Sequence, residues 1–252
     1  MVTRLVNNEP MKLRLVSYNI HKGFDHLNQN YILEDIRTLI RKTNADIVCL
    51  QEVIGENHKL KDEGKIDNQF EFLADQFWPH YSYGKNALYD HGHHGNLILS
   101  KFPIENFSNL DLSTNQYERR GILKCRVILP ELKQHVTIMT THLNLTSKGR
   151  QKQLKKMDEN CHFDDSERCI FTGDFNDWNS RVSSLVEEQW GFKEVFKRLH
   201  SNYPKTFPAV YPLLKLDRIY TKNFKALDAK VLSSPHKLKL SDHLPLYAEL
   251  EL

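Results

Sequence analysis

The chain has 252 residues, 40% of them hydrophobic and 27% charged, with a net charge of +3. That is enough to bury one large core, and it excludes both a low-complexity chain and one that its charge alone would mark as a nucleic-acid binder. The stretch Met1 to Lys12 lacks the apolar segment of a signal peptide, and no run of about 18 apolar residues follows, so the expectation is a soluble, unprocessed, cytoplasmic monomer with no transmembrane segment.

Residues 1–11 are expected to form a disordered extension and residues 12–252 a single domain. Leu13 to Tyr18 reads as a strand ending on Asn19, His21 and Gly23. From Asn30 to Lys42, Ile32, Leu33, Ile36, Leu39 and Ile40 fall at helical spacing, and Asp46 to Leu50 follows as a second buried strand. This strand, helix, strand unit makes the two strands parallel neighbours, so Asn19 and the pair Gln51-Glu52 belong at one sheet edge. A helix over Asn68 to Phe77 precedes Tyr81-Ser82-Tyr83. Strands over Gly95 to Ser100, Phe107 to Leu112, Gly121 to Leu129 and Gln134 to Thr141 then read as an antiparallel block. Lys148 to Asp158 reads as a helix, Arg168 to Thr172 as a strand, and Arg181 to Glu188 and Lys193 to His200 as helices. Strands over Leu216 to Thr221, Ala226 to Leu232 and Leu246 to Leu250 close the chain. The order suits an α/β (α+β) four-layer sandwich, two packed mixed β-sheets flanked by helices.

Cys49, Cys125, Cys161 and Cys169 form no C-x-x-C pair and are expected as reduced thiols. Between Lys193 and Lys239, eleven bases stand against three acids. Such a face suits a polyanion or a phosphorylated headgroup, and it equally suits plain solvation.

The chemistry gathers where apolar strands give way to polar tips: Tyr18-Asn19-Ile20-His21, Leu50-Gln51-Glu52, Thr141-His142-Leu143, Gly173-Asp174-Phe175-Asn176, Leu216-Asp217-Arg218 and Ser241-Asp242-His243. Singly, each has an ordinary reading, Asp174 and Asn176 as a turn closure and His142 as a structural histidine. Together they supply the carboxylates, amides and imidazoles that hard divalent cations and phosphate esters require.

In this order the six pieces resemble the endonuclease/exonuclease/phosphatase superfamily, which has the fold of deoxyribonuclease I, and the resemblance covers roughly residues 12 to 252. Gly95 to Pro103, the Arg119-Arg120-Gly121 turn, and His142-Leu143 followed by Arg150 and Gln153 resemble its compact stand-alone bacterial members. The resemblance implies a Mg²⁺-dependent phosphoesterase, with Mn²⁺ as a substitute. It implies Glu52 as main metal ligand, and Asn19 and Asp242 near the metal or its waters. Asp174 would orient and deprotonate the attacking water, Asn176 and His142 would hold phosphoryl oxygens, and His243 would pair with Asp217. Whether Asp174 or His243 is the base stays open at this point. Asn96, Arg119, Arg120, His21 and Arg150 are expected to face the substrate, the two adjacent arginines as a clamp for phosphate.

Two departures weigh against abasic-site recognition: His21 stands where that branch has an acid, and Leu214 where it has a Trp. Tyr89 or a histidine of the loop His91-Gly92-His93-His94 is a candidate to replace that branch's phosphate-contacting Tyr, and an idle surface loop is the plainer reading. The basic C-terminal third gives nucleic acid a slight preference as substrate. A phospholipid or sphingomyelin-type phosphodiesterase, or a phosphatase of small phosphoesters, is the alternative, with Phe207 to Leu214 as a modest membrane-docking candidate. A non-catalytic scaffold using the same cleft is the second alternative.

Overall fold

The computed structural model describes residues 10–161, 163–233 and 240–252. The expected disorder of the N-terminal extension falls, for residues 1–9, outside the described residues, as do Lys237 and Lys239 of the basic stretch.

Twelve strands and six α-helices alternate along the described chain. The first half runs β1 (Lys12–Asn19), a 3-10 turn (His21–Gly23), α1 (Leu33–Lys42), β2 (Ile47–Asn57), α2 (His58–Asp62), α3 (Gln69–Ala74), β3 (His80–Tyr89), β4 (Gly92–Ser100) and β5 (Ile104–Asp111). The second half runs β6 (Gly121–Leu129), β7 (Gln134–His142), α4 (Ser147–Asn160), β8 (Arg168–Asp174), α5 (Arg181–Glu188), β9 (Lys193–Glu194), α6 (Val195–His200), β10 (Asp217–Lys222), β11 (Lys225–Val231) and β12 (Leu246–Glu251).

Two six-stranded mixed sheets result, one ordered β11-β12-β1-β2-β4-β3 and the other β5-β6-β7-β8-β10-β9. They stack as a deoxyribonuclease-I-like sandwich, and strand periodicity explains the layers. On β1, Leu13 and Leu15 enter the core shared by the two sheets, whereas Val16 and Tyr18 enter the core beneath α1. β2 divides the same way, Ile47 and Cys49 facing inward and Val48 and Leu50 outward. A strand covered on both faces is apolar throughout, which is why these segments read as short continuous runs. Leu33, Ile36 and Ile40 bury one face of α1 against the first sheet. In the second sheet, Phe171 packs on the layer formed by Leu154 and Met157 of α4 and Val182 and Val186 of α5.

The antiparallel middle block is present as expected: β3 with β4, β5 with β6 and β6 with β7. Four details differ from the sequence reading. β2 continues past Leu50 to Asn57, with a register shift between Leu50 and Val53 at the kinked residue Glu52. α2 was not anticipated; one turn long, it is held by the Asn57 side chain accepting from the Leu60 amide rather than by any apolar period. The stretch 91–94 is no free loop, because Gly92 opens β4 directly across from Tyr89. Lys193–Glu194 pair with β10 as a short strand before α6, because the Glu194 side chain accepts from the Lys197 amide and starts the helix there.

Register decides where the polar tips meet. Parallel pairing sets Asn19 beside Gln51 in one sheet and His142 beside Asp174 in the other, and antiparallel pairing sets Asp217 beside Asp174. All these tips therefore lie at one end of the sandwich. Several bases of the C-terminal third lie at the other end: Lys222 ends the strand that Asp217 begins, and Lys193 pairs near that far end. Lys197, Lys222, Lys225 and Lys230 are ion-paired to Glu187, Asp165, Glu251 and Asp228. Of the basic stretch, these lysines therefore lie away from the site, whereas Lys205 and Lys215 belong to the segment that leads into Asp217.

Candidate functional site

Asp174 is the centre of the site. It is almost fully buried at the end of β8, where Gly173 (φ +140) lets the backbone pass so close that a Cβ there would lie 2.0 Å from the Thr141 carbonyl oxygen. Its Oδ1 accepts from the Asn176 amide at 2.9 Å and its Oδ2 from Asn19 Nδ2 at 3.1 Å, the latter bond joining the two sheets. His142 Nε2 stands 3.4 Å and His243 Nε2 3.5 Å from the same Oδ2. Burial pushes the Asp174 carboxyl up to about 6, the nearby imidazole of His243 opposing and the Asp217 charge adding to the rise.

His243 is held from its other side, with Nδ1 2.8 Å from Asp217 Oδ2, which also accepts from the Thr206 hydroxyl. Burial opposes protonation of this imidazole, yet the two carboxylates Asp217 and Asp174 outweigh it and lift the ring to about 10. With both nitrogens facing carboxylates, His243 carries both protons at neutral pH and acts as a donor.

Glu52 occupies the kink of β2 at φ 57, a left-handed conformation uncommon for a residue with a Cβ. Its Oε1 lies 3.7 Å from His142 Nδ1, and its Oε2 lies 3.5 Å from Lys22 Nζ with no hydrogen-bond partner. Burial alone would raise this carboxyl; its attraction to His142, foremost, and to the Lys22 ammonium, with His94 and His21 behind them, holds it well below the ordinary range instead. His142 is driven well below its usual value by burial and by Arg120, so this imidazole is neutral and offers one N–H. His94, half-buried, is lowered to about 4 by desolvation and by Lys22, despite the nearby carboxylate of Glu52.

The other expected residues separate into groups. Asp242 is partly exposed at the rim, its Oδ1 4.0 Å from His21 Nδ1 and within reach of the Ser241 hydroxyl. Asn176, at φ 49, donates its side-chain amide to the Leu143 carbonyl at 2.9 Å, which leaves its side-chain oxygen free of that bond. Arg120 faces His142 and His94 electrostatically and pairs with Glu118, whereas Arg119 is exposed, so the adjacent arginines do not form a clamp together. Asn96 spends its amide on the carbonyls of Gly121 and Thr140, bridging the sheets. Arg150 is buried and donates to the carbonyls of Asn144 and Leu145, fixing the loop after β7. Both thereby hold the site's walls.

Three contributors escaped the sequence reading. Lys22, beside Glu52, sits in an irregular turn at φ 57 that no period predicts. Thr206 and Phe207 lie in a loop remote in sequence, the hydroxyl on Asp217 and the ring 5.0 Å from the His243 ring.

Asp174, Asp217 and His243 bring ligand atoms within 4.8 Å of one another, a grouping able to hold a metal ion. Hydrogen bonding argues for a second position. Both Asp174 oxygens and Asp217 Oδ2 are already engaged, whereas Glu52 Oε2 is a buried carboxylate oxygen without a hydrogen bond, with Lys22 Nζ 3.5 Å away. A buried carboxylate oxygen of that kind fits a hard divalent cation.

The chain is 42% identical over 248 residues to the uncharacterized protein YbhP of Escherichia coli strain K12, covering 97% of this chain and 98% of that one. Its fold superposes with a TM-score of 0.80 on an endonuclease/exonuclease/phosphatase protein from Beutenbergia cavernae, at 21% identity over 96% of this chain and 72% of that one. It superposes at 0.70 on D. rerio TDP2 complexed with a single-strand DNA product, at 18% identity over 96% and 99% of the two chains. The model of the Endonuclease/Exonuclease/phosphatase family matches residues 16–243, and the chain belongs to that family.

Proposed function

We propose that this chain is a metal-dependent phosphoesterase that cleaves a phosphodiester by in-line attack of water, with Mg²⁺ as the ion and Mn²⁺ as its substitute. The observation that carries the reading is the meeting of Glu52, His142, Asp174 and His243 at one buried point, with a carboxylate oxygen of Glu52 left without a hydrogen bond.

Glu52, Asn19 and Asp242 would hold the cation. When bound, it would supply Lewis-acid stabilisation of phosphoryl charge. The chain's own groups do the rest. Asp174, fixed by Asn19 and Asn176, orients the water and takes its proton; with both His243 nitrogens turned to carboxylates, no lone pair on that ring is free to do so. His243 and neutral His142 donate hydrogen bonds to the phosphoryl oxygens as negative charge grows there, and Asp217 with Thr206 keeps the His243 ring in place. Arg120 adds a fixed positive charge beside His142.

The test is hydrolysis of plasmid DNA, single-stranded RNA, phospholipids and sugar phosphates with Mg²⁺, Mn²⁺ or a chelator, with Glu52→Ala as control. Metal-dependent turnover of one class, abolished in the control, is the expected result. Turnover that survives either the chelator or the control would overturn the assignment.

A further inference from the structure

Three segments rise beside the catalytic residues: 144–150 from β7 into α4, 176–181 from β8 into α5, and 203–216 before β10. They are braced to one another and to the site. Arg150 donates to the Leu145 carbonyl and lies 5.0 Å from the centroid of the Trp178 ring; Arg218 donates to the carbonyls of Asp177 and Lys215. In the third loop Phe207 bridges Leu214, and the Ala209 amide donates to the Asp242 carbonyl at 2.7 Å.

The outward side of this braced rim is apolar. Leu145 is 55% exposed, Trp178 50%, Val210 51%, Tyr211 70% and Leu213 54%. Scattered exposed hydrophobics are ordinary, but five large ones on adjoining loops around a single cleft mark an interaction surface. Within these three segments the exposed charge has one sign, with Asp242 and Glu118 as the partly exposed acids beside them. The charged side chains of these segments that reach solvent, Lys148, Arg181, Lys205 and Lys215, are all basic, while the acids Asp177 and Asp217 are buried.

We propose that this rim docks on an anionic lipid bilayer and seats the cleft over it, so that the phosphoester cleaved is that of a phospholipid headgroup; the substrate half of the proposal rests on the phosphoesterase reading above. Apolar side chains among lysines, with Trp and Tyr between them, match the two layers of a bilayer surface, acyl boundary and anionic headgroups. A single-stranded nucleic acid would draw on stacking faces, yet Leu145, Val210 and Leu213 are aliphatic and offer none. A second copy of the chain is disfavoured by charge, since a two-fold contact would set these bases against themselves.

The experiment is vesicle flotation of the chain carrying Glu52→Ala, so that binding is read without turnover. Binding to phosphatidylglycerol vesicles, little binding to phosphatidylcholine vesicles, and a loss of about tenfold or more in affinity on adding Val210→Asp and Tyr211→Asp are expected. Lys205→Glu with Lys215→Glu should produce a comparable loss. Circular dichroism and the thermal midpoint establish that each variant is folded. Indifference to headgroup charge, or undiminished flotation of the Asp variant, overturns the docking surface. So does binding of a single-stranded oligonucleotide that the Asp substitutions abolish while flotation persists. Failure of the phosphoesterase reading has a different signature: vesicle binding intact, with no Mg²⁺-dependent release from a soluble phosphodiester by the unsubstituted chain.

Discussion

Glu52 carries three costs at once: a left-handed backbone of about 1 kcal/mol, desolvation of a carboxylate, and an oxygen with no hydrogen bond. None is compensated by packing, which is the pattern of a residue kept for chemistry. Asp174 differs in being satisfied on both oxygens and raised by burial and its acidic neighbour to about 6, which suits it to the proton acceptor's role proposed above. Asp174→Asn preserves shape and keeps one of the two accepting oxygens, replacing the other with an NH2 that cannot accept a bond or a proton. It is expected to lower kcat by about two orders of magnitude or more with KM little changed. Steady-state kinetics on the substrate found in the panel checks this, and near-normal kcat would move the base to another group.

Among elements, the decisive one is the pair of parallel neighbours β7 and β8. His142 and Asp174 lie side by side because these strands run in register to the same end, and Gly173 permits the close approach that keeps them there. A methyl group at 173 would meet the Thr141 carbonyl oxygen at 2.0 Å, so the strands must part. Gly173→Ala is therefore expected to cost about 2 kcal/mol or more in chemical denaturation and to lower activity beyond what the unfolded fraction explains. A variant with unchanged stability and full turnover would show that the contact relaxes freely. The loop before β10 acts as a second positioning element, since its root touches Asp217 and His243 and its tip carries the exposed apolar side chains.

Across the whole molecule, the buried charges link stability to pH. His243 is raised from 6.5 to about 10 in the fold, so its contribution is complete below 6.5 and is lost as pH climbs through 10. Asp174 is raised from 3.8 to about 6, and its contribution is likewise lost on going upward, between those values. Glu52 is lowered, so its contribution is present above its ordinary 4.5 and is lost on acidification. Between pH 6.5 and 10, His243 leads this set, and the thermal midpoint is expected to fall across that window. In His243→Gln the fall should flatten; an equally steep profile would place the linkage in other groups. We further propose that residues 12–252 act as one domain, since Leu13, Leu123 and Leu250 share a single core between the sheets.

Much of this protein is determined by its sequence alone. Leu33, Ile36 and Ile40 specify the buried face of a helix, the apolar runs at 13–18 and 47–50 specify buried strands, and the helix between them fixes a parallel pair. The polar tips of those strands were readable for the same reason, because a periodic apolar run that stops marks its own end. Tertiary structure alone decided what long-range contact creates. The kink that turns Glu52 inward, Lys22 beside it, and Thr206 on Asp217 join residues far apart or in irregular backbone, where no local period exists to be read. The bases of the C-terminal third are contiguous in the chain, yet Lys222 and Asp217 stand at opposite ends of one strand. Net charge along a sequence does not say which end of a sheet it reaches; the direction of each strand does.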